Sequence, residues 1–230
     1  MDKKIDNPHD SFFKTVWSKK ENARDFLERY LPAELRPVVD LDSLEIQKDA
    51  FVDEELKEYY SDMLYKTKLA GVKGFVYFLF EHKSHPYKRT HLQTLRYVLK
   101  IWDAYLKDNP RANLPVVVPI VVYHGQTKWP WSERLSKSLI NVSNEALKPY
   151  IPDFEFILVD LSQYSDDELK GIVMLQAALL LFKYVSHPDF PERLPEIFAY
   201  HFSSRGTMGK GDRTTNSRSP NPVYLDCAKT

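Results

Sequence analysis

Residues Gly74 to Phe80 read Gly-Phe-Val-Tyr-Phe-Leu-Phe, and Glu81-His82-Lys83 follows without a break. A run this apolar, with no polar alternation, predicts a strand covered on both faces. Ending such a strand in an acid, a histidine and a base puts charge at the rim of a core, which is costly unless the groups find partners or a metal ion. A period of two sets Glu81 and Lys83 on one face. Tyr59 to Leu69 reads as the preceding strand, with Ala70-Gly71-Val72-Lys73 as a hairpin loop. If Leu69 pairs with Gly74, Asp62 falls directly opposite Glu81. Two carboxylates so placed repel each other, and a divalent cation between them reverses the sign of that interaction. A slip of one residue would send Asp62 to the other face.

The 230 residues suffice for one domain with a substantial core. The expected division is a folded domain over residues 1–202 and a tail over 203–230, rich in Ser, Thr, Gly, Arg, Asn and Pro and expected to be disordered. The single cysteine, Cys227, excludes an intrachain disulfide and a cysteine-based zinc site. No apolar run approaches the roughly 20 residues of a membrane helix. The start, Met1 to Asp6, lacks the apolar core of a secretion signal. The expected compartment is therefore cytoplasmic, with no membrane partner. Formal net charge is zero, so only local charge can select a ligand.

Phe12, Phe13, Val16 and Trp17, then Phe26, Leu27, Tyr30 and Leu31, recur at helical spacing and predict one or two helices over Asp10 to Leu31. Asp10 or Ser11 is the expected cap and Pro32 the stop. Leu44 to Phe51, Leu114 to Tyr123 and Phe154 to Leu161 read as further strands, and Asp166 to Tyr184 as an apolar helix. Between them, Tyr87 to Lys107 reads as an amphipathic helix with Leu92, Leu95, Val98, Leu99, Trp102 and Leu106 on its apolar side. Arg89, Gln93, Arg96 and Lys100 lie on another face. No acidic residue occurs between Ser84 and Trp102, which makes this helix a basic patch beside an acid-rich hairpin.

Asp62, Glu81 and a nearby backbone carbonyl, that of His82, can hold one or two hard cations such as Mg²⁺ through oxygen ligands; Mn²⁺ or Ca²⁺ would also suit. A bound cation polarises a phosphodiester and acidifies a water, while Lys83 orients or deprotonates that water. The plainer alternative is a strand end carrying an ordinary Glu-Lys pair. Gln93 and Arg96 could reach a scissile phosphate, with Lys88 and Arg89 holding its neighbours. A solvated helix face is the competing account, and for Lys100 the preferred one. His82, His85 and His91 do not form a plausible zinc set, because Pro86 interrupts their spacing. His124, closing a buried strand, reads as a hydrogen-bonded core edge before a site residue.

The wider text is more specific than Asp62…Glu81-x-Lys83 alone. His9-Asp10-Ser11-Phe12-Phe13-Lys14, Ala23-Arg24-Asp25-Phe26-Leu27, Phe51-Val52-Asp53-Glu54-Glu55-Leu56, Tyr60-Ser61-Asp62-Met63-Leu64-Tyr65, Phe80-Glu81-His82-Lys83-Ser84 and Leu95-Arg96-Tyr97 with Ile101-Trp102 stand in order along it. Together they resemble the Rpn family of recombination-promoting nucleases, also labelled transposases, within the PD-(D/E)xK superfamily. The similarity runs from about Asp10 to Tyr200. It implies an α/β fold with a restriction-endonuclease-like core, a central mixed β-sheet flanked by helices, and C-terminal helices. It also implies Mg²⁺-dependent DNA cleavage in recombination, with DNA as partner and a homo-oligomer left open. By the family pattern Asp62 and Glu81 are metal ligands, Lys83 is the catalytic lysine and Gln93 an accessory polar residue. Asp10 matches an acidic position on the first helix that can contribute to the metal, and an N-cap role competes equally. Family members continue with further helices where this chain turns into Ser203 to Thr230, so a truncated or frame-shifted copy is expected. The alternative function is a catalytically inactive DNA-binding or assembly remnant.

Overall fold

The computed structural model describes residues 8–47, 61–81, 86–140, 142–185 and 187–203. Two helices open it, α1 (Pro8–Trp17) and α2 (Lys20–Tyr30). A five-stranded sheet follows in the order β1-β2-β3-β4-β5, made of β1 (Glu45–Ile46), β2 (Ser61–Leu69), β3 (Val72–Glu81), β4 (Val116–Tyr123) and β5 (Ile157–Asp160). The first three strands run antiparallel, and β3, β4 and β5 are mutually parallel. Helix α3 (Thr90–Asp108) makes the crossover from β3 to β4, as a parallel pair requires. The short α4 (Leu135–Leu139) precedes β5, and α5 (Val173–Tyr184) and α6 (Phe190–Ser203) close the described chain. This is the mixed α/β sandwich expected from the strand and helix patterns. Among the described residues no helix is long and apolar enough to cross a membrane.

Alternation along the strands divides the core into two layers. Met63, Tyr65, Val76, Phe78, Ile120, Val122 and Val159 face α1, α2, α5 and α6. Here Phe13 stacks on Trp17 with ring centroids 4.6 Å apart, and Trp17 meets Phe26 edge-on at 5.7 Å. Phe26 in turn meets Phe78 at 5.6 Å, joining helix to sheet. The Tyr65 hydroxyl donates to the Trp17 carbonyl, so a buried phenol finds an acceptor at the helix end. Leu64, Phe75, Tyr77, Val121 and Tyr123 form the other layer against Tyr97 and Ile101 of α3.

Several local expectations need correction. The hairpin loop has two residues, Ala70 and Gly71, with φ of 49° and 83°. Positive φ at both turn positions matches the twist of the flanking strands, so Val72 and Lys73 join β3 and Leu69 pairs with Val72. Asp62 therefore faces Leu79 and not Glu81. Next, α1 begins at Pro8, which places Asp10 and Ser11 inside the first turn and rules out either as its cap. Last, α5 begins at Val173 and not Asp166. Asp166 stays in the turn before it, where Lys183 Nζ and the Tyr184 hydroxyl each donate to Oδ1 at 2.7 Å. The first strand is also shorter than expected, β1 covering Glu45–Ile46 of the span Leu44 to Phe51, of which 48–51 lie outside the described residues. The 204–230 portion of the tail lies outside them as well.

Trp17→Ala removes the ring at the centre of the helical layer and should lower stability by about 3–5 kcal/mol, read from the urea midpoint. A loss under about 1 kcal/mol would mean the layer does not depend on that stack. Asp166 gives a pH signature. Burial opposes its ionisation, but donation from Lys183 and Tyr184 overcomes that and holds the carboxyl below its usual range. A depressed folded pKa contributes stability above the unfolded value of about 3.9, lost as pH falls through the folded value. Thermal melts from pH 6 down to 2 should show that loss, and Asp166→Asn should flatten it. An acid limb that is identical in the variant would refute the assignment.

Candidate active site

The three parallel strands end flush, because Glu81 pairs with Tyr123 and Tyr123 with Asp160. In open α/β sheets the crevice beyond the carboxyl ends of such strands is where ligands bind. Position 62 pairs with 79, and 79 and 81 share a face by alternation. The register differs from the expected one by two residues, an even number, so positions 62 and 81 remain on one face as diagonal neighbours. Cα atoms in that relation lie about 7–8 Å apart. This is the face packed by α3.

Ring contacts fix how α3 crosses it. Tyr105 meets Phe75 at 6.3 Å and Tyr97 stacks on Tyr77 at 5.0 Å, so α3 runs antiparallel to β3. One turn further back along α3 comes Gln93, and two residues further along β3 comes position 79, the neighbour of Asp62 and Glu81. Gln93 is 7% exposed, and neither its amide oxygen nor its amide nitrogen has a hydrogen-bond partner among the described residues. An unsatisfied buried amide costs about 1–3 kcal/mol. Such a group calls for an explanation, whether a water, an ion or a ligand. Two carboxylate positions are hard oxygen donors, and with an orphaned amide above them they fit a cation such as Mg²⁺.

The burial of Gln93 overturns the face assignment made from spacing. Amphipathicity would turn the leucines of α3 to the core. Instead the core receives His91, Gln93, Thr94, Tyr97, Val98 and Ile101, while Leu92 and Leu99 lie exposed. Arg96 stays on the solvent side, as do Lys88 and Arg89 ahead of the first turn, and Lys100 is half-buried. With no acid in that first turn, the positive end of α3 and these cations share one edge of the site.

His82 and Lys83 lie outside the described residues. Asp10 belongs to α1, in the layer on the far side of the sheet. His91 Nε2 pairs with the Ser132 carbonyl at 2.8 Å, and burial holds its pKa below the ordinary value. His124 is 4% exposed, with its ring 6.2 Å from Phe182 of α5. Among the described residues no three His, Cys, Asp or Glu side chains cluster to hold a metal.

Asp160 is the acid at this rim that spacing did not single out. It is buried, and it accepts from the Trp129 amide at 2.9 Å and from the Ser162 amide and hydroxyl at 3.0 and 2.7 Å. Its oxygens are committed to holding the turn after β5, and the Asp160-Leu161-Ser162 text is the only signal of that. A cleft of about 1220 Å³ opens at the opposite end of the parallel strands, lined by Tyr30 to Arg36, Val117 to Pro119 and Glu155 to Leu158. Gln93 does not line it.

Replacing Gln93 by leucine should raise the urea midpoint, by up to about 1 kcal/mol of stability, because an apolar side chain of similar size carries no unmet hydrogen bonds. A marked loss of stability would show that the amide has a structural partner.

Comparison with known proteins shows the family. The family described as "Putative transposase, YhgA-like" matches residues 7–207. The recombination-promoting nuclease RpnD of Escherichia coli O157:H7 is 34% identical over 183 residues, 79% of this chain and 69% of that protein. RpnC of Escherichia coli strain K12, also named a recombination-promoting nuclease, is 33% identical over 199 residues, 86% of this chain and 65% of its own length. RpnE of the same strain, named an inactive recombination-promoting nuclease-like protein, is 31% identical over 184 residues, 80% of this chain and 60% of its own length. The chain thus spans about two thirds or less of the length of these relatives. No solved structure matches it.

Proposed function

This chain belongs to the YhgA-like transposase family, and from that premise we propose that it is a metal-dependent DNA endonuclease acting in recombination. The observation that carries the reading is the amide of Gln93, buried over the face that positions 62 and 81 share and without a hydrogen-bond partner among the described residues. Asp62 and Glu81, with the His82 carbonyl, would hold Mg²⁺ or Mn²⁺. When bound, the cation supplies positive charge to the phosphodiester and lowers the pKa of a water. Lys83 orients that water and takes its proton as the water oxygen bonds to phosphorus and the leaving sugar oxygen departs. Gln93 would accept from the water through its amide oxygen and donate through its amide nitrogen to a phosphoryl oxygen, partners it lacks among the described residues. Lys88 and Arg89 hold flanking phosphates of the duplex. Asp10 is assigned no step, since its helix lies across the sheet.

A second reading has its own support. One relative at this level of identity is named inactive, so a DNA-binding or assembly module without cleavage is the competitor. Supercoiled plasmid should be nicked with Mg²⁺ or Mn²⁺ and not with EDTA. Asp62→Ala and Lys83→Ala should each lower the rate by at least about a hundredfold. Unchanged nicking in both variants removes the mechanism. No nicking, with metal-independent and salt-sensitive DNA binding, establishes the module instead.

A further inference from the structure

We infer that the exposed leucine stripe of α3 is a self-association surface, on which a second copy of this chain docks its own α3 in antiparallel fashion. Leu92, Leu95, Leu99, Trp102 and Leu106 alternate steps of three and four residues, the spacing of a coiled-coil seam. Leu92 is 40% and Leu99 48% exposed, and Leu95, Trp102 and Leu106 are half-buried. The opposite side of the same helix already fills the sheet-facing layer, so the stripe is not needed for this domain's core. It continues onto the start of β4, where Leu114 and Val116 are exposed and Trp102 Nε1 donates to the Pro115 carbonyl between them at 2.8 Å. Contiguous apolar surface of this kind marks an interface.

Charge selects the occupant. Arg96 and Asp103 flank the seam on one side, seven residues apart, and both are exposed. Among the described residues no ion pair engages either one. Consider two copies of α3 antiparallel about a twofold axis, with Leu99 facing Trp102 and Leu95 facing Leu106. Arg96 of each copy then lies alongside Asp103 of the other, an attraction made twice by symmetry. Sliding the pair so that Leu95 faces Leu99 brings the two Arg96 side chains together and sets Asp103 beside Arg89 at the helix cap, so the registers differ in which arginine meets Asp103. A patch whose apolar seam and charges both complement themselves is what an isologous contact requires. The inference stands whether or not the chain cleaves DNA.

Sedimentation velocity of the full chain over a concentration series tests it. A monomer–dimer equilibrium is expected, abolished by Leu99→Glu with the thermal transition unchanged, since that side chain lies outside the core. Arg96→Glu should weaken the dimer by about tenfold, and Arg96→Glu with Asp103→Arg should restore it. The charge exchange keeps the test decisive should Leu99→Glu disturb folding. A chain monomeric at every concentration overturns the inference and leaves the stripe to a foreign helix or to another segment of the same polypeptide. A dimer untouched by both Leu99→Glu and Arg96→Glu overturns it equally.

Discussion

Everything in this molecule depends on residues 74–78 of β3 being excluded from water on both faces. Its neighbours are an antiparallel strand on one side and a parallel strand on the other, and helices cover it above and below. A strand in that position can carry ionisable groups only where it leaves the sheet. Glu81 stands at that exit, flush with the ends of β4 and β5, because the parallel register leaves it nowhere else to be. The location of the candidate site is thus a by-product of how the core closes.

Most of the architecture was legible because the signals were strong and local. The apolar runs of β3 and β4 and the aromatic periodicity of α1 and α2 each point to one element. The hairpin register was less legible. Ala70-Gly71 and a longer loop are both compatible with the residues, and only the positive φ at Ala70, unusual for a residue with a side chain, decides for the short turn. The pairing of Asp62 changed while its face did not, since faces repeat every second residue. For this reason the grouping of positions 62 and 81 outlived an incorrect alignment of the two strands.

Helix α3 shows the limit of pattern reading. It presents two stripes, one of leucines and one of mixed polar and aromatic residues, and hydropathy alone favours the leucines for the core. The sheet beneath offers the rings of Tyr77 and Phe75, which Tyr97 and Tyr105 meet. Aromatic complementarity across the layer outweighs the transfer preference of the leucines, and Gln93 is carried inward with Tyr97. No single-sequence rule weighs what lies on the opposing surface. Only the assembled sandwich shows which stripe wins, and with it that the Gln93 amide is buried.

One small residue governs the far side of this rim. The chain leaves β4 through His124-Gly125, and a Cβ on Gly125 would collide with the Tyr123 ring and hydroxyl. The backbone there rests on the tyrosine with only hydrogen between them. The wall of the crevice beside β4 consequently has no slack, and any side chain would act as a wedge between strand end and loop. Divergence toward a wider or reshaped groove is therefore channelled away from the β4 wall.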